Sequence, residues 1–515
     1  MGGRADSSPQ PVAGKRPIWI SLAILCAGLI LYTSTLAPDL LWGGGDFAKF
    51  QLRAYIVELE AGVFGHPLWV VLAHPFTYLP IRNIAWRANF ASAVFASVSL
   101  LVVFAIAWHL THSLQASLLG TAALAVSHTF WTYAVLPKVY SLNALMLSAC
   151  IYLLILWQDK KEGKYLYVFT FLYSLSLFNH LVMATAVVGF VVFIAWELWS
   201  RRGHPDARRQ FLTAMVICVL SLVPHVWFAR EFGSGAGSSG AVLRFLRGGL
   251  AFLITPKYWL GGMGWGIGLL WYQFPLTIAL GFIGLFRMQS AHTRKCWLLF
   301  LVAVGDIAFL LGATDPRTGG DYVWNLHYYL QAYVVFSLWI SIGFASAIAY
   351  FCQRRVKWWL PALVVATLIV PIVCYAVAPM VARVVLTDLP GFRPLPGRDN
   401  YVFALSPWKF QETGARELGE SILAALPEGS VLFADYSLWS IVRYLQVVEG
   451  QRPDVTSVNL TRSGGGQVET IVEYSKDNNS LYLADVWRYY DIESIEEYFD
   501  IVLTPPVYRL VPRQG

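Results

Sequence analysis

The chain has 515 residues, of which 57% are hydrophobic and only 13% are charged, about half the charged share of an average soluble protein. This composition excludes an ordinary soluble protein and indicates an α-helical integral membrane protein. Residues 1–377 carry a net charge of +13 and residues 378–515 a net charge of −6. The basic character therefore belongs to membrane loops and does not indicate nucleic-acid binding.

Apolar runs divide the first 378 residues into membrane spans, each of which needs about 20 residues. Residues 1–16 form an N-terminal tail, and residues 17–378 form the membrane domain. The run at 67–81 is short and interrupted by proline, which favours an interfacial or re-entrant helix over a span. We predict eleven spans, at 17–37, 88–108, 115–135, 139–157, 165–180, 181–198, 210–229, 270–287, 296–314, 328–351 and 358–378.

The distribution of lysine and arginine sets the orientation of the spans, because these residues accumulate in cytoplasmic loops. With the N terminus in the cytoplasm, the cytoplasmic loops hold 16 of them, whereas the opposite short loops hold only Lys138 and Arg317. The odd number of spans then places residues 379–515 outside. We expect a multi-pass protein of a bacterial inner membrane with a cytoplasmic N terminus and an extracytoplasmic C-terminal region.

Two long loops and the C-terminal region lie on the predicted outer face. The first loop spans 38–87, and the second spans 230–269 and begins with a Gly/Ser-rich stretch typical of a mobile segment. The length of the second loop favours a lid or an entry gate. Residues 379–515 predict a small α/β domain, because helical and strand patterns alternate at 412–426, 430–434, 438–448 and 455–460.

An acidic loop follows the first predicted span, where Gly43, Gly44 and Gly45 precede Asp46. Glycines allow turns that other residues disfavour, and one carboxylate then stands where the chain leaves the lipid. Such a carboxylate suits a general base for chemistry on a lipid-borne substrate. Asp46 equally suits the N-cap of a helix that begins at Phe47, so both interpretations stay open on the residues alone.

Cations on the same face are candidates for phosphate binding, because guanidinium and ammonium groups bind phosphate oxygens. For each cation alone, anchoring of a helix end at the membrane surface is the alternative. As a set they favour phosphate binding, and the nearby Glu58 and Glu60 are predicted to be solvated. The cations are Lys49, Arg53, Arg82, Arg87, Lys138, Arg230, Arg244, Arg247, Lys257 and Arg317.

Histidines and one acid within a span complete the candidates. His66, His74, His180 and His327 lack the spacing of metal ligands, so no metal centre is predicted. Asp306 lies inside the ninth predicted span, where an acid is either functional or bonded to a neighbouring helix. The sequence contains no nucleotide-binding loop and no Gly-x-Ser-x-Gly motif.

Several segments resemble, in order and spacing, the motifs of one known family. The first resembles a W-G-D-S-A-E-F signature that follows a first span, and the last resembles G-x-R-P-D-V. The segments are 42–50 (WGGGDFAKF), 62–68 (GVFGHPL), 79–81 (LPI), 86–93 (WRANFASA), 130–134 (FWTYA), 139–143 (VYSLN), 179–181 (NHL), 444–446 (YLQ) and 450–455 (GQRPDV). Together they resemble the transmembrane-protein-260 family, also labelled domain of unknown function 2723.

The resemblance implies a fold and an activity. That family is similar to glycosyltransferases of the GT-C superfamily, many-span enzymes that use polyprenyl-phosphate sugars, and its animal members are implicated in protein O-mannosylation. Asp46 matches the acidic residue of the first outer loop that GT-C enzymes use in catalysis. Lys49 and Lys138 stand where the family has glutamate, which changes the charge of the outer face and bears on the substrate.

The residues and the resemblance together predict an α-helical polytopic membrane protein of GT-C-like fold, with about 11 spans and a small C-terminal α/β domain. Its predicted function is to transfer a sugar, with mannose as one candidate, from a polyprenyl-phosphate donor to an acceptor hydroxyl on the extracytoplasmic face. The acceptor is a protein or a glycan, with protein Ser or Thr as one candidate.

Asp46 is the predicted general base of this transfer, and no metal, resident cofactor or nucleic acid is expected. A lipid or solute transporter or flippase is one alternative, and a non-catalytic assembly protein of the same fold is another. The residues predicted to bind the lipid phosphate or the acceptor are Lys49, Arg53, His66, Arg87, Lys138, Tyr140, Asn179 and His180.

Overall fold

A computed structural model describes the chain at residues 18–42, 47–60, 65–232, 259–313, 326–389, 392–462, 466–477, 480–487 and 490–513. A bundle of apolar helices is followed by a small mixed sheet. The bundle contains α1 (Ile18–Ser34), α2 (Phe47–Ile56), α3 (Pro67–Ala73), α4 (Ile84–Thr111), α5 (Leu114–Ala125), α6 (His128–Ala134), α7 (Tyr140–Lys160), α8 (Gly163–Leu177), α9 (Val187–Ser200), α10 (Pro205–Phe232), α11 (Trp259–Gln273), α12 (Ile278–Ala291), α13 (Thr293–Ala313), α14 (Leu330–Gln353), α15 (Trp359–Val364) and α16 (Val370–Val385).

Helices occupy all eleven ranges that the sequence predicts as spans, and the protein is an integral membrane protein. Within the described chain, six helical segments are long and apolar enough to cross a membrane, and a seventh is counted if α11 and α12 form one bent span. Shorter apolar helices include α1 with 17 residues and α5 with 12. Length and composition therefore support six or seven full spans within the described residues, and the total of eleven stays a prediction.

The predicted span at 270–287 is wrong as a continuous helix. The helices α11 and α12 are bent by 103° across a short break. Pro275 in this break has no N–H to donate to a helix, and Leu276 has a left-handed φ of 60°. Residues 67–81 are also interrupted, forming α3 and a 3-10 turn at His74–Tyr78, which is the short, proline-broken form expected of them.

Close packing of α12 on α14 depends on glycine. A Cβ atom on Gly284 would lie 1.8 Å from the carbonyl oxygen of Trp339, and one on Gly343 would lie 2.0 Å from that of Leu280. Neither position accepts a larger residue unless the two helices separate. Small residues at helix contacts are typical of membrane bundles, because they let backbones approach each other.

Asp306 of α13 joins neighbouring elements within the bundle. Its carboxylate accepts hydrogen bonds from the amide of Ala332 at 3.1 Å and from the hydroxyl of Thr185 at 3.4 Å. Ala332 belongs to α14, and Thr185 to the 3-10 turn at Leu181–Ala186. These contacts favour the structural interpretation of this buried acid, with partners in neighbouring elements.

The C-terminal region forms the predicted α/β layer. The helices and strands expected between 412 and 460 are present as α18 (Gly414–Ala425), β1 (Val431–Ala434), α19 (Tyr436–Glu449) and β2 (Thr456–Asn459), and α17 (Asn400–Leu405) precedes them. The chain continues through α20 (Gln467–Ser475), β3 (Leu481–Leu483), α21 (Ile492–Glu496), β4 (Phe499–Thr504) and β5 (Val507–Pro512).

The five strands form one mixed sheet in the order β2-β1-β3-β5-β4. Strand β1 is parallel to both neighbours, with Val431 opposite Thr456 on β2 and Leu481 on β3. Strand β5 is antiparallel to β3 and β4. The parallel half of the sheet carries α19, whose other face meets the membrane bundle.

Helix α2 connects the bundle to this α/β layer. Leu52 of α2 and Leu445 of α19 belong to one apolar cluster. Beside it, the guanidinium of Arg416 on α18 donates to both carboxylate oxygens of Asp39, at 2.6 and 2.9 Å. Arg416 of the C-terminal region therefore binds the segment between α1 and α2, although the two residues are 377 positions apart in sequence.

Candidate functional site

Helix α2 buries two cations. Lys49 and Arg53 are four residues apart, so they share one face of the helix, and both side chains are buried. A buried charge requires a counter-charge, which Glu60 supplies: its Oε2 lies 3.2 Å from the Lys49 Nζ and 3.8 Å from an Arg53 nitrogen. The prediction of a solvated Glu60 is wrong, because the chain after α2 returns over the buried face of that helix.

Lys138, from the turn before α7, brings a third cation to α2. Its Nζ lies 5.1 Å from the ring centre of Phe47 and 5.2 Å from that of Phe50, within the range of a cation–π contact. We call Lys49, Arg53 and Lys138 the cationic cluster. The cluster gathers three of the cations that the sequence predicts as phosphate ligands.

His66 lies beside the cationic cluster. Its Nδ1 is 2.7 Å from the carbonyl oxygen of Asn179, and its ring stacks on that of His180, with 4.8 Å between centroids. Burial lowers the pKa of His66 to about 3; the Asn179 carbonyl opposes this shift, and the three charges of the cluster reinforce it. His66 is therefore neutral at physiological pH and donates its Nδ1 hydrogen to the carbonyl.

An aromatic row continues from His180 away from the cluster. The ring of Tyr140 lies 5.5 Å from His180 and 4.4 Å from His327, and the Tyr133 hydroxyl is 3.0 Å from Nδ1 of His327. The side-chain amide of Asn179 donates to the Val139 carbonyl at 3.1 Å. The structure thus brings together seven of the eight predicted ligand residues.

The eighth predicted ligand, Arg87, binds the backbone of a nearby loop. Its guanidinium donates to the carbonyl oxygens of Ile81 at 2.6 Å, Thr77 at 2.7 Å and Arg82 at 2.7 Å. These bonds close the turn that leads into α4. The geometry gives Arg87 a structural role, and its predicted phosphate contact stays a prediction.

The predicted base, Asp46, lies outside the described residues, as does most of the predicted gate at 230–269. The next residue, Phe47, begins α2 and contacts Lys138 through its ring. Among the described residues, no group of three His, Cys, Asp or Glu side chains lies close enough together to hold a metal ion. Transfer without a metal stays a prediction.

Sequence reasoning missed two cavities. The first, of about 60 Å³, is bounded by Phe47, by one face of α6 and by the chain around Lys409. The second, of about 290 Å³, is apolar and lies between α11, α12, α13 and α14. A signal for the first was present in the predicted third span, where His128, Thr129 and Thr132 interrupt an apolar run at helical spacing.

Comparison with known proteins confirms the resemblance drawn from the motifs. Residues 61–203 match the family described as the protein O-mannosyl-transferase TMEM260 N-terminal domain. A mouse protein named protein O-mannosyl-transferase TMEM260 is 25% identical over 274 residues, which are 50% of this chain and 37% of the mouse protein. The chain thus matches little more than a third of that relative's length.

Solved structures confirm the GT-C-like fold. ArnT from Cupriavidus metallidurans, crystallised with undecaprenyl phosphate, covers 96% of this chain with 98% of its own, at 13% identity and a TM-score of 0.55. An oligosaccharyltransferase from Archaeoglobus fulgidus, tethered to an acceptor peptide, covers 97% of this chain with 74% of its own, at 10% identity and a TM-score of 0.50. At such identities the likeness concerns the fold alone.

Proposed function

We propose that this protein is a membrane glycosyltransferase that moves a sugar from a polyprenyl-phosphate donor to an acceptor hydroxyl on the extracytoplasmic face. One observation carries the proposal: in a chain of GT-C-like fold, the buried cations Lys49 and Arg53 lie on the helix that directly follows the acidic loop, and the half-buried Lys138 contacts the same helix. Cations next to a carboxylate suit a reaction that needs a base for the acceptor hydroxyl and positive charge to stabilise the leaving phosphate.

The proposed reaction is a single displacement with inversion at the anomeric carbon. Asp46 accepts the proton of the acceptor hydroxyl while its oxygen forms a bond to the anomeric carbon. The bond between that carbon and the phosphate oxygen breaks, and the lipid phosphate leaves with the electron pair. Lys138, with Lys49 and Arg53 beside it, offsets the charge that develops on the leaving oxygen.

The remaining predicted ligands orient groups around the cluster. His66 is neutral, so it contributes a hydrogen bond and a stacking face rather than a charge. Tyr140, Asn179 and His180 continue that surface. Arg87 contributes through the loop that its three backbone contacts hold in place.

The lipid chain of the donor fits the apolar groove of about 290 Å³ between α11 and α14. Phe282, Phe336 and Trp339 line it. Gly266, which also lines it, belongs to the second outer loop at 230–269. A groove of this composition matches hydrocarbon, because burial of apolar surface is its main source of affinity. In this arrangement 230–269 serves as the entry gate.

The comparisons support the donor and acceptor classes without fixing them. ArnT binds undecaprenyl phosphate, the archaeal oligosaccharyltransferase holds an acceptor peptide, and the mouse relative is named for transfer of mannose to protein. We therefore propose mannose as the first sugar to test and protein Ser or Thr as the first acceptor. The N terminus faces the cytoplasm and the α/β region faces outside in this proposal.

A transfer assay with a radiolabelled lipid-linked sugar and the purified full-length chain tests the proposal. We expect the label to leave the lipid and to appear on a peptide or glycan acceptor. A flippase would instead move the labelled lipid across a vesicle without transfer. A non-catalytic assembly protein would do neither, and either of these results would contradict the transferase proposal.

A further inference from the structure

A small cavity lies beside Phe47, whose ring also contacts Lys138. It is enclosed by one face of α6, by α2 and by the segment that leads to the α/β layer. We call it the α6 cavity, and its principal walls are Phe47, His128, Thr129, Thr132, Tyr133 and Phe403. Its volume of about 60 Å³ has room for about four to six water-sized groups, the scale of one monosaccharide ring.

One face of α6 presents buried polar groups to this cavity. His128 lies four residues and Thr129 three residues before Thr132, so both are neighbours of Thr132 on the helix surface. Thr129 is 1% exposed, His128 3% and Thr132 9%. Neither threonine hydroxyl and neither ring nitrogen of His128 has a hydrogen-bond partner in the part of the chain that the structure describes.

Such groups are unusual in a folded protein, because a buried polar atom without a partner lowers stability. The carbonyls of Ala404 and Leu405 approach the His128 ring without reaching hydrogen-bond geometry. Four unsatisfied atoms on one cavity wall therefore indicate a ligand that supplies hydrogen-bond donors and acceptors of its own.

The other walls indicate that this ligand is neutral. Phe47 and Phe403 give the cavity flat apolar faces. Lys409 is the cation nearest to it, but its Nζ already donates to the carbonyl oxygens of Ser406 and Trp408, and burial lowers its pKa. Phosphate is better served by the cationic cluster, whose Lys138 contacts Phe47.

We infer that the α6 cavity binds the sugar ring of the lipid-linked donor, a neutral pyranose. The hydroxyls of Thr129 and Thr132 and the imidazole of His128 hydrogen-bond to sugar hydroxyls, and the aromatic walls pack on the apolar face of the ring. This inference rests on the proposed function, and it assigns sugar recognition to His128, Thr129 and Thr132, none of which is among the eight predicted ligands. The phosphate then lies toward Lys138, which contacts Phe47.

Replacing threonine by valine tests the inference, because valine keeps the shape and removes the hydroxyl. Removing a hydroxyl that binds the ligand should stabilise the free protein and weaken ligand binding. Without ligand, Thr129→Val and Thr132→Val should raise the melting temperature by about 1 to 2 °C, since an unsatisfied buried group is removed. With ligand, each variant should weaken sugar binding by roughly three- to tenfold.

Thr121 of α5 is a matched control. Its hydroxyl is also buried and lacks a partner among the described residues, but it lines a separate apolar groove beside α1. Thr121→Val should raise the melting temperature similarly and leave sugar binding unchanged.

The binding experiment compares polyprenyl phosphates carrying mannose, glucose or N-acetylglucosamine with the same polyprenyl phosphate carrying no sugar, on the purified full-length chain. The wild type should bind its preferred glycosylated lipid more tightly than the bare lipid. The Thr129→Val/Thr132→Val variant should lose that preference while its affinity for the bare lipid phosphate stays the same.

Three results would overturn the inference. A double variant that keeps the wild-type preference, while wild-type transfer persists, would refute the sugar site and leave the proposed function standing. Valine variants that lose stability and keep the preference would show that water satisfies the hydroxyls. A wild-type chain with neither sugar preference nor transfer would refute both proposals together.

Discussion

The cationic cluster and the α6 cavity, which both adjoin Phe47, treat buried polar groups in opposite ways. In the cluster, Lys49 and Arg53 are buried beside the partly exposed Glu60, which lies within 4 Å of both. In the cavity, the hydroxyls of Thr129 and Thr132 are buried with no partner among the described residues. A buried charge needs a counter-charge within the fold. A buried neutral hydroxyl without a partner destabilises the free protein less, so it can be left for a ligand to bind. The difference separates the cationic cluster, the charged side of this region, which suits phosphate, from the α6 cavity, its neutral side, which suits sugar.

The largest effect that separates the two sides is expected at Lys138. Lys138→Met should lower the rate of sugar transfer by about 100-fold, because one preorganised charge on the leaving phosphate is lost. The melting temperature should change little, since the cation–π contacts with Phe47 and Phe50 contribute on the order of 1 kcal/mol. Initial rates and thermal unfolding of the same preparation measure both quantities. A variant that is slow only because it unfolds would contradict the role in catalysis.

The pH dependence of stability probes the charged side through His66. Its pKa is about 3 in the folded chain and near 6.5 when unfolded, so the unfolded chain binds more protons between these values. Stability should therefore fall as the pH drops below about 6.5, by about 2 kcal/mol at pH 5. Urea unfolding at pH 7 and pH 5 measures the change.

The variant His66→Asn is the control for this pH effect. Asn tolerates the left-handed backbone of residue 66, whose φ is 49°, and it does not titrate. The loss of stability between pH 7 and pH 5 should shrink in the variant. An equal loss in both proteins would assign the acid sensitivity to other groups.

Removing the counter-charge of the cluster should reduce stability. Glu60→Gln leaves Lys49 and Arg53 buried without their nearest carboxylate and should cost about 1 to 2 kcal/mol of unfolding free energy, less than a fully buried pair because Glu60 is partly exposed. Glu58→Gln, at an exposed position two residues earlier, should change stability by less than about 0.5 kcal/mol. Equal effects from both variants would contradict the pairing.

The smallest effect is expected where the α/β layer meets the bundle. Arg416→Met removes the bidentate contact to Asp39 together with the ion pairs to Glu420 and Glu449, and it should cost about 1 kcal/mol, because all of these pairs are partly exposed. Faster limited proteolysis of 386–413, the segment before α18, would report the loosened contact. Arg443→Met, at an exposed position of α19, is the control and should leave the cleavage rate unchanged.

Local motifs predicted much of the charged side. Residues Lys49, His66, Lys138, Asn179 and His180 sit in short segments whose order matched one family, and the structure brings them together around α2. Apolar periodicity likewise placed a helix in each predicted span. These features follow from residues close in sequence, which is why the sequence alone suffices for them.

Contacts between distant residues were beyond that reasoning. Asp39 and Arg416 are 377 positions apart, and no sequence feature near either residue predicts their contact. Glu60 was expected in solvent because its approach to α2 depends on how the intervening chain turns. The α6 cavity needs the segment around Lys409 as a wall, so its polar residues resembled ordinary span residues. The bend between α11 and α12 was foreseeable from Pro275, since proline ends helices.

The most direct test of the central claim compares two acids of the same loop. Purified Asp46→Asn and Asp39→Asn variants are assayed for transfer of a radiolabelled sugar from polyprenyl phosphate to an acceptor. Asp46→Asn should abolish transfer while membrane insertion stays intact, because an amide cannot accept the acceptor's proton. Asp39→Asn should retain most of the activity, since Asp39 binds Arg416. Full transfer by Asp46→Asn would contradict the account.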